Sequence, residues 1–313
     1  MYFTILLSTL IVSIISCFFY KKIWSMINLK KVPTGYGYIL IFFILIYSFL
    51  LKLPLVNIKV FGVILLFSSI YWIDDIKSLS FIFRLLIQFF CGLTLAFLIL
   101  KENNFLYSQS FLIILILSGF LNIFLTNIIN FYDGLDLNIS IFTIILSFVL
   151  IFLTSFEKSN YLGIVILGFI LGFMFFNFKP NNIFFGDSGC FVISSFVSFL
   201  IIKNIYFFNF EIIYLLIPFL LPIVDVCYVV LLRIYLKESL LTRNYHHIYH
   251  KMGEKFKNKI YLLPQIINAL VIFIIGIFIV PNNHIANVRF ILISILSTLI
   301  LYFFIQFFII RRR

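Results

Sequence analysis

Two adjacent carboxylates, Asp74 and Asp75, close an apolar run at Ile73 and are followed by Arg84 and Gln88. Neighbouring carboxylates repel each other, so keeping both ionised favours a nearby cation. Paired hard oxygens suit Mg²⁺, or Mn²⁺, which typically shares one or two carboxylates with waters and a substrate's phosphates. Arg84 and Gln88 are four residues apart and share a helix face, presenting a guanidinium and an amide compatible with phosphate. The same acids also read as the solvated end of a loop.

Three further clusters carry polar side chains of useful types. Asn127, Asn130 and Asp133 recur every third residue, which on an α-helix spreads them over an arc of about 120° that can line one wall of a cleft. Gly134 permits a bend that turns Asp136 towards the same cleft, although Asp-Gly is also an ordinary turn signal. Gly186-Asp187-Ser188-Gly189 precedes an apolar run, so Asp187 and nearby backbone N–H groups can meet an anion or a metal-bound phosphate, or simply form an N-cap. Arg243, His246, His247 and His250 crowd one polar segment, where histidines bind phosphate when charged, act as acid or base when neutral, or merely decorate a basic loop. Asp225 lies inside an apolar run eight residues before Arg233, a position that marks either a functional acid or an interhelical pair.

The elements that position these groups follow from composition. Hydrophobic residues make up 64 % of the 313-residue chain and charged residues 11 %, against about 45–50 % and about 25 % in soluble domains. Too little polar surface remains to cover a water-facing globule, which excludes soluble, disordered and disulfide-stapled classes. The sequence predicts an all-α integral membrane protein, a polytopic bundle of about 10–11 transmembrane helices, each of about 20 residues. Expected spans are 2–20, 36–53, 57–73, 82–100, 107–126, 137–155, 160–178, 189–203, 211–235, 261–280 and 288–310, with the pair around Pro54 open to a re-entrant hairpin reading. Lys21 and Lys22 close the first stretch, which therefore reads as a retained span. Residues 1–313 are expected to form a single transmembrane domain. Cys17, Cys91, Cys190 and Cys227 are scattered through apolar runs and read as small core residues.

Eleven spans place the termini on opposite sides. With the N-terminus outside and the C-terminus inside, all Lys and Arg except Lys52, Lys59, Lys101, Lys158, Lys203 and Arg289 fall on the cytoplasmic side, as the positive-inside rule requires. The cytoplasmic loops are then about 21–35, 74–81, 127–136, 179–188, 236–260 and 311–313. All six aspartates also fall on that side, which the rule does not demand, so one polar site at the cytoplasmic face is inferred. The net charge of +12 is accounted for by loops facing anionic lipid heads, with no nucleic-acid partner expected.

These residues give the chain a specific resemblance. It is similar to the polyprenyl-phosphate N-acetylhexosamine-1-phosphate transferases, the integral-membrane superfamily that includes the peptidoglycan phospho-N-acetylmuramoyl-pentapeptide transferase. Pro33-Thr34-Gly35-Tyr36-Gly37 looks like the family's Pro-Thr and glycine segment, with its Gly-Gly broken by Tyr36. Asp74-Asp75 with Leu79, Arg84 and Gln88, then Asn127-x-x-Asn130-x-x-Asp133-Gly134-x-Asp136, then Phe184 to Gly189, follow in family order. His247-Ile248-Tyr249-His250 is similar to the family's His-Ile-His-His segment. Leu137 stands where Gly is usual and Cys190 where Ser is usual. The closest likeness is to the branch that serves O-antigen, capsule or related surface glycans.

The resemblance implies Mg²⁺-dependent transfer of a sugar 1-phosphate from a UDP-N-acetylamino sugar to undecaprenyl phosphate, at the plasma (inner) membrane, with UMP as the other product. It implies that Asp187, with help from Asp75, holds the metal. It implies that Asp74 or Asp133 orients or deprotonates the lipid phosphate, with Asp75 and Asp136 in the same catalytic set and a covalent aspartyl-phosphate route left open. Asn127, Asn130, Arg84, Arg243, His247 and His250 are the expected substrate-binding groups. A homodimer is an open possibility, as is a peptidoglycan-type activity. A secondary transporter or cation channel is the alternative of another class, because intramembrane acids also mark ion paths.

Overall fold

The structure is a computed structural model that describes residues 1–26, 32–52, 56–102, 111–152, 159–179, 182–206, 212–239, 245–256, 259–278 and 284–310. Arg243, the basic residues 311–313 and the turn around Pro54 lie outside them. All regular structure among the described residues is helical, as lipid demands of a chain that must satisfy its own backbone polar groups. Among the described residues eight helices are long and apolar enough to cross a membrane, and two shorter apolar ones span Tyr36–Leu50 and Asn138–Phe152. A further helix, Ile58–Ile76, carries Lys59 near its start and Asp74 and Asp75 on its last turn. The protein is a multi-pass, all-α membrane protein.

The chain divides into two compact units, 1–212 and 213–313. The first contains α1 (Tyr2–Met26), α2 (Leu40–Leu50, entered through a 3₁₀ turn at Tyr36–Ile39), α3 (Ile58–Ile76), α4 (Phe81–Glu102), α5 (Phe111–Tyr132), α6 (Asn138–Phe152), α7 (Ser159–Asn177) and α8 (Asp187–Tyr206). The second contains the short α9 (Ile212–Leu215), α10 (Leu220–Tyr235), α11 (Ile248–Lys255), α12 (Leu263–Phe278) and α13 (His284–Phe304).

The helices that carry the site run beyond their expected spans. Asp74 and Asp75 belong to α3 rather than to a loop, and Asp187 is the first residue of α8, two residues before the expected span. Apolar runs stop where polar residues begin, whereas helical hydrogen bonding continues through them, so hydropathy clips the helices that carry the site.

Inside the first unit α8 is the central element. It packs against α3, α4, α5 and the 3₁₀ turn, while α1 packs on α7 and α7 on α6. Close approach depends on small residues, since packing rather than water exclusion joins helices in lipid. A Cβ at Gly168 of α7 would stand 1.7 Å from Thr9 Oγ1, and one at Gly172 would stand 2.5 Å from Ser13 Cβ, both on α1. Ser13 Oγ also donates to the Phe169 carbonyl at 2.7 Å. The second unit has its own small core of Leu221, Ile248, Met252, Tyr302 and Ile305.

Gly168→Ala is expected to lower the thermal unfolding midpoint of the detergent-solubilised protein, at a cost of about 1–3 kcal/mol for overpacking. Gly62→Ala, where an added Cβ meets nothing within 4 Å, should leave it unchanged or raise it. Equal midpoints for Gly168→Ala and the native chain would contradict this account of the α1–α7 contact.

Candidate active site

The site in the first unit is built on Asp75. Both of its oxygens accept hydrogen bonds at the start of α8: Oδ1 from the Asp187 N–H at 2.9 Å, and Oδ2 from the Ser188 N–H at 3.1 Å and from the Ser188 hydroxyl. Thr34 Oγ1 stands 3.4 Å from Oδ1. The first N–H groups of a helix have no internal partner and carry its positive dipole end, so a carboxylate placed there is doubly favoured. Asp75 thus binds the end of α3 to the beginning of α8.

Two glycine-bearing segments make this approach possible. The Phe184 N–H donates to Pro33 O at 2.8 Å, and the Gly37 N–H to Phe185 O at 2.9 Å. Gly35 and Gly186 have φ of +82° and +86°, and a Cβ on either would stand 2.8 Å from an Asp75 oxygen. Tyr36, which interrupts the expected glycine pair, is fully buried. Its ring stacks on Phe169 and Phe173 with centroids 5.1 and 5.5 Å away, and its hydroxyl donates to Ser13 O at 3.0 Å. The departure from Gly-Gly fills a pocket instead of opening one.

Arg84, near the start of α4, joins the remaining acids of α3 and α8. Its Nη1 donates to Asp187 Oδ2 at 3.3 Å and pairs with Asp74 Oδ2 at 3.6 Å. Asp74 also accepts from the Leu79 N–H through Oδ1, which closes the turn between α3 and α4. Its side chain is 4 % exposed, whereas that of Asp187 is 43 % exposed, so Asp187 is the acid open to a ligand.

Behind them runs a polar ladder of neutral groups. Gln88 Nε2 donates to the Tyr71 hydroxyl at 2.6 Å, and Asn127 Nδ2 donates to Gln88 Oε1 at 3.0 Å. The amide carbonyl of Asn130 is buried and accepts no hydrogen bond. Asp133, the residue just beyond α5, receives the Cys190 thiol at 3.7 Å. Burial first, and then repulsion from Asp187, holds the Asp133 carboxyl well above the usual carboxylate range, with the thiol contact acting in the opposite direction. Asp136 adds to the negative field on Asp133. Leu137 takes the left-handed conformation, φ +66°, that a glycine would supply there, and its N–H donates to Asn177 Oδ1 at 2.7 Å.

Asp74, Asp75, Arg84, Gln88, Asn127, Asp133, Asp136 and Asp187 are therefore brought together by contacts or mutual fields. Of the acids Asp74 and Asp187 that Arg84 joins, the one whose oxygens are open to a cation is Asp187. Among the described residues no three His, Cys, Asp or Glu side chains form a closed cage for an ion. Ser188 and Thr34 take part from within segments that the sequence singled out for other residues, whereas Tyr71 lies in no such segment.

In the second unit His247 and His250 are buried, and α11 begins at Ile248 directly after His247. His247 Nδ1 lies 2.7 Å from Asp225 Oδ2. His246 pairs instead with the exposed Glu238 at 2.9 Å. His247 is thus a partner from outside α10 for Asp225, the position read as a functional acid or an interhelical pair. Arg233 donates to Ser239 O and stands 3.7 Å from Glu238.

The first unit of this polytopic helical membrane protein thus gathers carboxylates from α3, from α8 and from just beyond α5. Residues 57–205, the stretch that carries every one of these acids, match the model of glycosyl transferase family 4. It is 31 % identical over 157 residues to the Bacillus subtilis (strain 168) protein named "Probable undecaprenyl-phosphate N-acetylglucosaminyl 1-phosphate transferase", a match covering 49 % of this chain and 42 % of that protein. It is 26 % identical over 213 residues to the "Putative glycosyltransferase MJ1113" of Methanocaldococcus jannaschii, covering 63 % of this chain and 66 % of the other. The chain thus spans less than half of the first relative's length and about two thirds of the second's.

Asp75→Ala leaves the Asp187 and Ser188 donors without their acceptor, a loss of about 1–3 kcal/mol for each buried group left unpaired. Its unfolding midpoint should fall well below that of the native chain, whereas Asp187→Ala should stay close to it. Equal midpoints for the two variants would remove Asp75 from its place as the clamp.

Proposed function

We propose that this protein transfers an N-acetylamino-sugar 1-phosphate from a UDP-sugar to undecaprenyl phosphate, giving a lipid diphosphate-linked sugar and UMP. The observation that carries the reading is Arg84 bridging Asp74 and Asp187, inside the segment that matches glycosyl transferase family 4. Names of the two relatives support it further: one is called an undecaprenyl-phosphate sugar 1-phosphate transferase and the other a glycosyltransferase.

In the reaction an oxygen of the lipid phosphate forms a bond to the sugar-bearing phosphorus of the donor, and the bond from that phosphorus to the UMP oxygen breaks, with UMP taking the electron pair. Such transfers are driven chiefly by positioning and by stabilising charge on the phosphoryl oxygens. The chain's residues divide that work. Arg84 offers a guanidinium to a phosphate oxygen while holding Asp187 in place. Asp133, held towards its protonated form by burial, and Asp74 stand where the lipid phosphate is oriented or loses its proton. Asn130 offers a buried amide oxygen with no partner in the protein to a donor group on the substrate.

Mg²⁺ fits this donor set. Asp187 presents a hard, half-exposed carboxylate, and the lack of a closed protein cage among the described residues suits an ion completed by phosphate oxygens and water. When bound, the ion supplies charge neutralisation on the diphosphate. We place it on Asp187 and give Asp75 the task of positioning Asp187, because the oxygens of Asp75 are already engaged by the start of α8. Arg243, His247 and His250 are assigned to the phosphates of the donor.

The reading takes both units as one enzyme of the plasma (inner) membrane, with the N-terminus outside and the site facing the cytoplasm, where nucleotide sugars are found. It places the product at the start of O-antigen, capsule or a related envelope glycan, with a homodimer as the form to look for.

Purified protein given UDP-N-acetylamino sugars, undecaprenyl phosphate and Mg²⁺ should release UMP. No UMP from any donor in the panel, together with an ion flux in liposomes, would replace this reading with transport. Asp187→Asn should abolish turnover while leaving membrane insertion intact, and retained turnover would remove Asp187 from the metal. Arg243→Lys keeps the charge but loses bidentate geometry, so the apparent affinity for the donor should fall. An unchanged affinity would count against that assignment.

A further inference from the structure

The second unit contains a buried acid that the reaction scheme does not use. Asp225 lies in α10, is 1 % exposed, and is surrounded by apolar sequence. An isolated carboxylate at such a site costs several kcal/mol, so its donors define its role. It has three: His247 Nδ1 at 2.7 Å from Oδ2, and the Ile248 N–H at 3.0 Å and the Tyr302 hydroxyl at 2.9 Å on Oδ1. Gln306 Nε2 in turn donates to the Tyr302 oxygen at 3.0 Å, which leaves the Tyr302 hydrogen directed at Asp225. The chain of bonds therefore runs one way, towards the carboxylate.

A carboxylate only accepts, so Nδ1 of His247 must carry a hydrogen. The same carboxylate holds the Ile248 N–H, so the ring and the first turn of α11 are anchored together and the ring does not turn without releasing the helix. Capping alone does not explain this arrangement. His247 occupies the N-cap position of α11 yet makes no side-chain cap bond of its own, the task being done by Asp225 from another helix. Tyr249 lies parallel to the His247 ring, with centroids 5.3 Å apart and planes 11° apart, which further restricts its orientation.

We propose that Asp225 is a positioning residue for His247: by committing one ring hydrogen to Nδ1, it directs the second proton of the charged ring to Nε2, which then donates to a phosphate oxygen of the nucleoside diphosphate donor. The identity of that ligand rests on the transferase reading above, whereas the fixed tautomer rests on the second unit alone. Orientation of a working histidine by a carboxylate at its other nitrogen is a general device.

The test uses full-length protein in nanodiscs with ¹⁵N-labelled histidine imidazoles, the His247 signals being assigned by their loss in His247→Gln. The native chain should show hydrogen directly bonded to His247 Nδ1. Asp225→Asn keeps an oxygen for Ile248 and Tyr302 but turns an amide N–H towards the ring, so the hydrogen should move to Nε2. In donor kinetics Asp225→Asn should lower kcat/KM by about 10- to 100-fold, the range seen when the orienting partner of a working histidine is lost. His247→Gln should fall at least as far, and the double variant no further, because the acid acts only through the ring.

A bare Nδ1 in the native chain, an unmoved hydrogen in Asp225→Asn, or an equal loss on adding Asp225→Asn to His247→Gln would each overturn the proposal. Should Asp225→Asn fail to fold, the native spectrum and Tyr302→Phe decide the matter. Tyr302→Phe loosens the acid but leaves its charge, so Nδ1 should keep its hydrogen and the rate loss should be smaller than that of His247→Gln. A bare Nδ1 or a larger loss would overturn it. The imidazole spectra need no substrate, so a native chain that keeps hydrogen on Nδ1 yet transfers no sugar phosphate would fail the transferase reading and not the Asp225–His247 coupling.

Discussion

One carboxylate joined to one helix start governs the first unit. Asp75 receives the first N–H groups of α8, and everything at the site follows from that junction. It fixes where Asp187 projects, since Asp187 supplies one of those N–H groups. It brings Gly35 and Gly186 so close that neither position has room for a side chain. It also draws the 33–37 segment against 184–186, which closes the entry to α2. A membrane helix cannot leave its terminal N–H groups without partners inside protein or lipid, so this pairing meets a structural requirement and places an acid for chemistry in the same contact.

The second unit uses the same physical device with other residues. Asp225 meets the first N–H of α11 and, with its other oxygen, a histidine ring. In both units an acid from one helix satisfies the start of another and orders a polar side chain at that start, Asp187 in one case and His247 in the other. Arg84 plays the complementary part for the acids, lying between Asp74 and Asp187 where their mutual repulsion would otherwise push them apart.

Much of this was legible in the sequence, and the parts that were not share a cause. Apolar runs located the helices because lipid imposes a simple length and composition rule. The acid and amide spacings located the site because few other roles demand Asn127, Asn130 and Asp133 on one face of an apolar helix. Helix ends were misplaced by a few residues around Asp74, Asp75 and Asp187, since hydropathy reports the solvent of a side chain and not the hydrogen bond of its backbone. The partners of Asp75 were hidden because Ser188 and Thr34 are common residue types whose donors are recruited only by the fold. Asp225 read as a functional acid or as one half of an interhelical pair, but its donors come from two separate stretches, at His247-Ile248 and at Tyr302, and no local pattern encodes that. Leu137 shows the limit in another form: it adopts the backbone conformation of the glycine expected there, which its own side chain disfavours.

The account turns on the end of α3 meeting the start of α8. Cysteines at Asp75 and Ser188, in a chain whose native Cys17, Cys91, Cys190 and Cys227 are replaced, should form a disulfide in membranes under mild oxidation, detected by joined fragments after cleavage between the two positions. The account predicts rapid and nearly complete cross-linking of this pair, and none for a control pair of cysteines at Asp75 and Phe152. No cross-link between positions 75 and 188, in a chain that is inserted and folded, would contradict it.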